Sequence, residues 1–168
     1  MLTEESYWKG PDAVDRRVTY KKDYTPEIEA NGVETNRRIN LVVDAYVAAA
    51  EKDAPTAYAS GWRPPSVNEA TANAAGHSKH LIAEAGDVKD DMIGSFAWWC
   101  YAHRDDVLSQ PEIDMYMEHP AATVLGHPTP WCHLQTVPPG SGARAYFPDS
   151  TSSVKWAKYD QKSVERFA

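Results

Sequence analysis

Three residues able to bind a metal ion, His80, Asp87 and His133, restrict how this chain can fold, because they lie far apart along it. The first two belong to Ser78-Lys79-His80-Leu81-Ile82-Ala83-Glu84-Ala85-Gly86-Asp87, and the third to Trp131-Cys132-His133. On a single helix His80 and Asp87 would share a face. Two turns would still separate their backbones by about 10 Å along the axis, too far for one ion. Gly86 weakens a helix there as well. A turn running into a strand brings the pair back together, and His133 on a neighbouring strand completes a set of two imidazoles and one carboxylate. Three protein ligands leave a fourth position for water, which zinc turns into a nucleophile near neutral pH. This donor set favours one Zn2+ over magnesium or calcium.

The elements around these residues read as a mixed set. Thr25-Pro26-Glu27 starts a helix with a capping hydroxyl, a proline in the first position and an acid. Ile28, Ile39, Val42, Val43, Tyr46, Val47 and Ala50 continue it with helical spacing until Asp53-Ala54-Pro55, while Gly32 weakens its first turns. Residues 57–62 read as a short strand closed by Arg63-Pro64-Pro65, and 68–76 as a loop. A second strand covers 85–88. Asp90 or Asp91 caps a helix through Met92, Phe96, Trp99 and Cys100, with His103 as a further candidate, that ends before Gln110-Pro111. Strands follow at 113–118 and 131–137, with a long loop between them. Before residue 25, Tyr7, Trp8, Tyr20 and Tyr24 read as anchors laid over the domain, and from Thr151 the tail reads as a surface segment or short helix. Helices packed on a small antiparallel sheet make an α+β fold.

With 168 residues and 42% apolar content, the chain suits one domain over 1–168. Its core falls at about 25–148, flanked by an N-terminal segment (1–24) and a C-terminal tail (149–168). A net charge of −7 argues against a nucleic-acid partner, whose phosphates require clustered Lys and Arg. No apolar run approaches the roughly 20 residues of a membrane helix. Met1-Leu2-Thr3-Glu4-Glu5 lacks the basic start and apolar core of a secretory signal, so synthesis in a cytoplasm is expected and any exit would need another component. The two cysteines, Cys100 and Cys132, do not indicate a disulfide framework or a disulfide-linked partner. On a strand, Cys132 and His133 would point to opposite faces, which makes Cys132 a buried small residue rather than a ligand.

Taken together, Ser78-Lys79-His80, Ala85-Gly86-Asp87, Trp131-Cys132-His133-Leu134-Gln135 and the upstream Ser60-Gly61-Trp62-Arg63-Pro64 resemble the M15 family of zinc peptidases. That family includes D-Ala-D-Ala carboxypeptidases and phage L-alanyl-D-glutamate endolysins, and the hedgehog signalling domain is similar to it. The likeness runs in matching order over about 25–148, with Ala83 at a position where glycine is usual. It implies His80, Asp87 and His133 as zinc ligands and Arg63 as the group that binds a substrate carboxylate or carbonyl oxygen. A guanidinium suits that role, since peptidoglycan stem peptides carry several carboxylates. Ser78 would bind substrate or orient a ligand, with local turn capping as the alternative. Asn68 and Gln135 are candidates to line the cleft. Trp62 and Trp131 read as packing beside it. The implied activity is hydrolysis of stem-peptide bonds. The Trp-Cys-His form leans toward D-Ala-D-Ala carboxypeptidase, with the endopeptidase as alternative. A phage or prophage product acting on the cell wall after release would fit.

One position departs from the pattern. Many M15 enzymes carry the general base, Glu or Asp, three residues before the last histidine, and here that residue is Pro130. Either the base lies elsewhere or the chain is a zinc-bearing binding module without turnover. Glu118 is the first candidate, because a hairpin of 113–118 with 131–136 could swing its carboxylate beside the metal water; a solvated strand end is the competing reading. His119 and His127 come next. Glu84 should point outward.

Overall fold

A computed structural model describes residues 1–71 and 74–148, in which the chain forms six α-helices and five strands. The longest helix, α3 (Pro26–Ala50), begins where the sequence places it. Thr25 Oγ1 accepts from the Ile28 N–H at 3.2 Å, and Pro26 fills the first helical position. Its buried stripe is Ile28, Gly32, Thr35, Ile39, Val42, Val43 and Tyr46. Gly32 is a packing requirement rather than a weak point, since a Cβ there would stand 2.2 Å from the Trp8 ring.

Trp8 and Tyr7 come from α1 (Glu4–Lys9) and are fully buried. Tyr7 and Trp8 thus go into the core rather than over it, whereas Tyr20 and Tyr24 lie partly buried against it, as expected of anchors. Tyr24 and Trp62 pack around Trp8 at centroid distances of 5.4 and 6.0 Å. From α2 (Arg16–Thr19), the buried Arg16 guanidinium donates to the Trp62 carbonyl at 2.6 Å.

The sheet contains β1 (Tyr58–Ser60), β2 (Ala85–Lys89), β3 (Tyr116–Glu118), β4 (Trp131–Gln135) and β5 (Ala145–Tyr146), in the order β1-β2-β4-β3-β5. The first three pairings are antiparallel, as expected, but β5 runs parallel to β3. The sheet is therefore mixed, which corrects the antiparallel expectation. The cause is positional. β4 ends with Gln135 opposite Tyr116, at the start of β3, so the connection 136–144 delivers the chain to the far edge of β3 running the same way. A two-residue strand beyond Pro138-Pro139-Gly140 carries no alternation that a sequence reading could detect.

Other boundaries shift for local reasons. Pro64-Pro65 not only closes β1 but starts α4 (Pro65–Ala70), because proline suits a first helical position. Helix α5 (Ser95–Ala102) starts later than expected, and Met92 lies exposed in the loop ahead of it. Both aspartates still cap it: Asp91 Oδ1 accepts from Ser95 N–H at 3.0 Å, and the Asp90 carboxylate accepts from Phe96 and Ala97 N–H. A short α6 (Pro120–Thr123) occupies the long loop before β4. The strands expected at 113–118 and 131–137 are trimmed to Tyr116–Glu118 and Trp131–Gln135.

Cys100 and Cys132 are both free and buried. No helix among the described residues is long and apolar enough to cross a membrane. The tail expected from Thr151 lies outside the described residues.

Candidate metal centre

Strand register puts the site together. Ser60 pairs with Asp87, Asp87 with His133, and Glu118 with Tyr146. One step on from the Met117–Leu134 pair, the antiparallel register places Glu118 opposite His133. A single row of side chains, Ser60, Asp87, His133, Glu118 and Tyr146, thus crosses all five strands. An irregularity between Tyr58 and Ser60 lets Tyr58 enter the core while Ser60 stays in the row. Alternation sends Val88, Cys132, Leu134 and Met117 to the opposite, apolar face, where all four are fully buried. Cys132 is therefore packed away from the site, as strand geometry requires.

His80 arrives from outside the sheet, on a 3-10 turn (Lys79–Ile82) directly before β2. Ser78 accepts from the His80 N–H, and Ala83 in a left-handed conformation (φ 56°) ends the turn. The expected return of the chain toward Asp87 is thus a turn and then a strand.

His80, Asp87 and His133 are all buried, and one potential donor atom from each lies within 4.8 Å of the other two. His133 Nδ1 is 2.7 Å from Asp87 Oδ1, and His80 Nε2 is 3.2 Å from Asp87 Oδ2. The other nitrogen of each ring is occupied. His80 Nδ1 is 2.7 Å from the Gly61 carbonyl oxygen, an acceptor only, so it must carry the proton. That leaves Nε2 as a lone pair facing Asp87, buried and without a hydrogen-bond partner. A buried orphan of this kind is costly unless something binds it. The three residues can therefore hold a metal ion, and the ring contact to Gly61 is of the kind that orients ligating histidines.

The surrounding charges are consistent with one compact centre. Burial works against ionisation of Asp87, but His80 and His133 outweigh it and hold the carboxyl well below its usual range. Burial pushes the His80 imidazole down despite Asp87. It would push His133 down too, yet Glu118 and Asp87 override it and raise His133 to about 9. Burial raises the Glu118 carboxyl, with His133 and Arg63 pulling the other way. Glu118 thus sits beside the site as a half-buried carboxylate with increased proton affinity, rather than as a solvated strand end.

Arg63 is half-buried, with burial lowering its pKa against the charges of Asp87 and Glu118. Its backbone N–H donates to the His80 carbonyl at 3.0 Å, and Nη2 donates to Ser78 Oγ at 3.4 Å. Its Nε is buried without a partner. Ser78 therefore both caps the His80 turn and steadies Arg63. Asn68 donates to the Ala75 carbonyl at 3.1 Å, while its buried Oδ1 has no partner.

The other candidates are placed elsewhere. His119 caps α6 through Nδ1 and stacks on Phe147, and His127 is exposed with Nε2 3.1 Å from the Ala122 carbonyl oxygen. Trp62 is core, and Trp131 packs edge-on against His127. Two contributors had no adequate signal in the sequence. The Gly61 carbonyl acts through backbone alone, and Tyr146 lies on a strand too short to detect.

Comparison with known proteins gives no match: no family model, no curated protein and no solved structure is detectably similar to this chain.

Proposed function

We propose that this chain is a zinc-dependent peptidoglycan peptidase that hydrolyses stem-peptide bonds, most simply as a D-Ala-D-Ala carboxypeptidase. The observation that carries the reading is the buried His80, Asp87 and His133 group with an unpartnered His80 Nε2, flanked by a carboxylate and a guanidinium. Its motifs resemble those of the M15 zinc peptidases. Bound by these three residues, zinc would supply an acidified water and polarise the scissile carbonyl. Glu118 accepts the proton of the attacking water and returns it to the leaving nitrogen, a role suited to a carboxylate whose pKa is raised. Arg63 binds the substrate carboxylate or steadies the carbonyl oxygen, with its unpartnered Nε available. Ser78 holds Arg63 in place, and Asn68 offers a free acceptor to the peptide. Action on the cell wall in a phage or prophage lysis setting is part of this reading.

Two alternatives rest on particular features. An L-alanyl-D-glutamate endopeptidase would use the same centre on a different bond. A zinc-bearing binding module without turnover is favoured by Pro130, which cannot take a proton. Mass spectrometry of a stem-pentapeptide muropeptide, incubated with zinc-loaded protein and with a chelated control, separates the three. Chelator-sensitive loss of D-Ala is expected. A cut beside D-Glu would establish the endopeptidase, and an intact substrate would favour the binding module.

A further inference from the structure

The two histidines of the centre are oriented by different means. His80 leans on a main-chain carbonyl, whereas His133 leans on a side chain. Gln135 lies two residues after His133 on the same face of β4, and its Oε1 stands 3.2 Å from His133 Nε2. The amide cannot turn round freely, because Gln135 Nε2 donates to the Val137 carbonyl at 2.6 Å. A second group holds the oxygen end: Tyr146 donates its hydroxyl to Gln135 Oε1 at 2.6 Å.

An oxygen facing His133 Nε2 can only accept, so that nitrogen must bear hydrogen. In a neutral imidazole the lone pair is then on Nδ1, the atom 2.7 Å from Asp87 Oδ1 and on the side of the metal group. We propose that Gln135 is a positioning residue for the metal, fixing the Nε2–H tautomer of His133 and so presenting Nδ1 as ligand, with Tyr146 holding Gln135 in that orientation. This inference rests on the metal-centre reading above. It also gives β5 a purpose, since the strand's pairing with β3 brings Tyr146 into the row beside Glu118.

The test uses the full chain with Gln135→Leu, Gln135→Glu and Tyr146→Phe. Zinc affinity is measured by competition with a chromophoric chelator, and the His133 tautomer by 15N NMR of imidazole-labelled protein. Gln135→Leu removes the acceptor and should weaken zinc about 10–100-fold, the usual cost of losing an outer partner of a ligating histidine. Gln135→Glu keeps the acceptor facing His133 but loses the donation to the Val137 carbonyl, so it should restore part of the binding lost in Gln135→Leu. Tyr146→Phe should act in the same direction with a smaller loss, and carries the test if Gln135→Leu fails to fold. With zinc bound, wild-type His133 should show hydrogen on Nε2 alone, and Gln135→Leu a mixture of Nδ1- and Nε2-ligated forms. Unchanged affinity and tautomer in both Gln135→Leu and Tyr146→Phe would overturn the proposal, as would an equal loss in Gln135→Leu and Gln135→Glu. A wild type that takes up no zinc would instead overturn the metal-centre reading, and this inference with it.

Discussion

The two faces of the sheet differ in chemistry far more than in burial. On β4, Leu134 is fully buried and its neighbour His133 is only 6% exposed. Leu134 and Cys132 join Val88 and Met117 in an apolar layer, with Ile39, Tyr58 and Tyr7 so close to β2 that a Cβ on Gly86 would stand 2.8 Å from the Ile39 side chain. That face is held by shape. On the other face each polar group needs a named partner, because an unpaired one costs about 1–3 kcal/mol. His133 has Asp87 and Gln135, His80 has Gly61, and Gln135 has Tyr146 and Val137. Among the described residues five buried side-chain atoms have no partner: His80 Nε2, Arg63 Nε and Asn68 Oδ1 belong to residues that the proposed function assigns to metal or substrate, while Arg16 Nε and Thr123 Oγ1 belong to residues with no such role. Three of those five costs thus fall on residues of the proposed site, where a bound ion or substrate would offset them.

The largest break in the comparison should come from Glu118→Gln. Glutamine fills nearly the same space but cannot take a proton at neutral pH, so the polar face keeps its form and loses the base proposed for it. Turnover of the stem peptide should fall by about 10²–10⁴-fold, the usual contribution of a positioned acid–base group. Zinc content, measured by atomic absorption on the same sample, should not change. Equal turnover in the two proteins would remove Glu118 from the mechanism and leave the proton unassigned.

Leu134→Ala attacks the opposite face. Removing a fully buried leucine between α-helical and strand packing should cost about 2–5 kcal/mol of stability, read from urea unfolding. Met117 pairs with Leu134 across the strands, so the cavity opens directly behind the site. Because His133 points the other way, zinc stoichiometry in the folded fraction should stay at one. A loss of zinc at temperatures where the variant is still folded would show that the two faces are not separable, and that apolar packing sets the ligand geometry.

How much of this could be read in advance follows the same division. The group of three residues able to hold a metal ion was legible because spacing excluded one helix and strand alternation separated Cys132 from His133. The start of α3 was legible because Thr25 and Pro26 each have a specific local role. Glu118 was reachable by assuming that two strands pair, although its burial was not. The burial of Tyr7 and Trp8 was not legible, since it depends on Gly32 leaving room on a helix more than twenty residues later. The parallel β5 and the service of Tyr146 to Gln135 were hidden for a similar reason. Both arise from where β4 happens to end, not from any pattern inside Ala145–Tyr146.

The smallest expected effect concerns charge outside both faces. Glu34 on α3 lies 2.7 Å from Arg37 Nε and 2.7 Å from Arg38 Nε, and these arginines also donate to the carbonyls of Glu112, Ile113 and Asp114. Hydrogen bonding from Arg37, helped by Arg38 and opposed by burial, lowers the Glu34 carboxyl to about 2. A carboxyl depressed in the folded state stabilises above its unfolded pKa and loses that contribution as pH falls toward the folded value. The window here runs from about 4.5 down to about 2. Glu34 is 41% exposed, so water and salt screen most of the shift, and the pair should be worth only about 0.5 kcal/mol. Glu34→Gln should therefore lower stability by roughly that amount at pH 7 and by nothing measurable at pH 2, where the wild-type carboxyl is about half protonated and most of its small contribution is gone. The difference should also shrink in high salt. A loss of several kcal/mol would mean that the Arg37 and Arg38 contacts to 112–114 hold the start of β3, and with it Glu118, in place. The contrast would then no longer lie between two faces, but between the sheet and the helix that carries it.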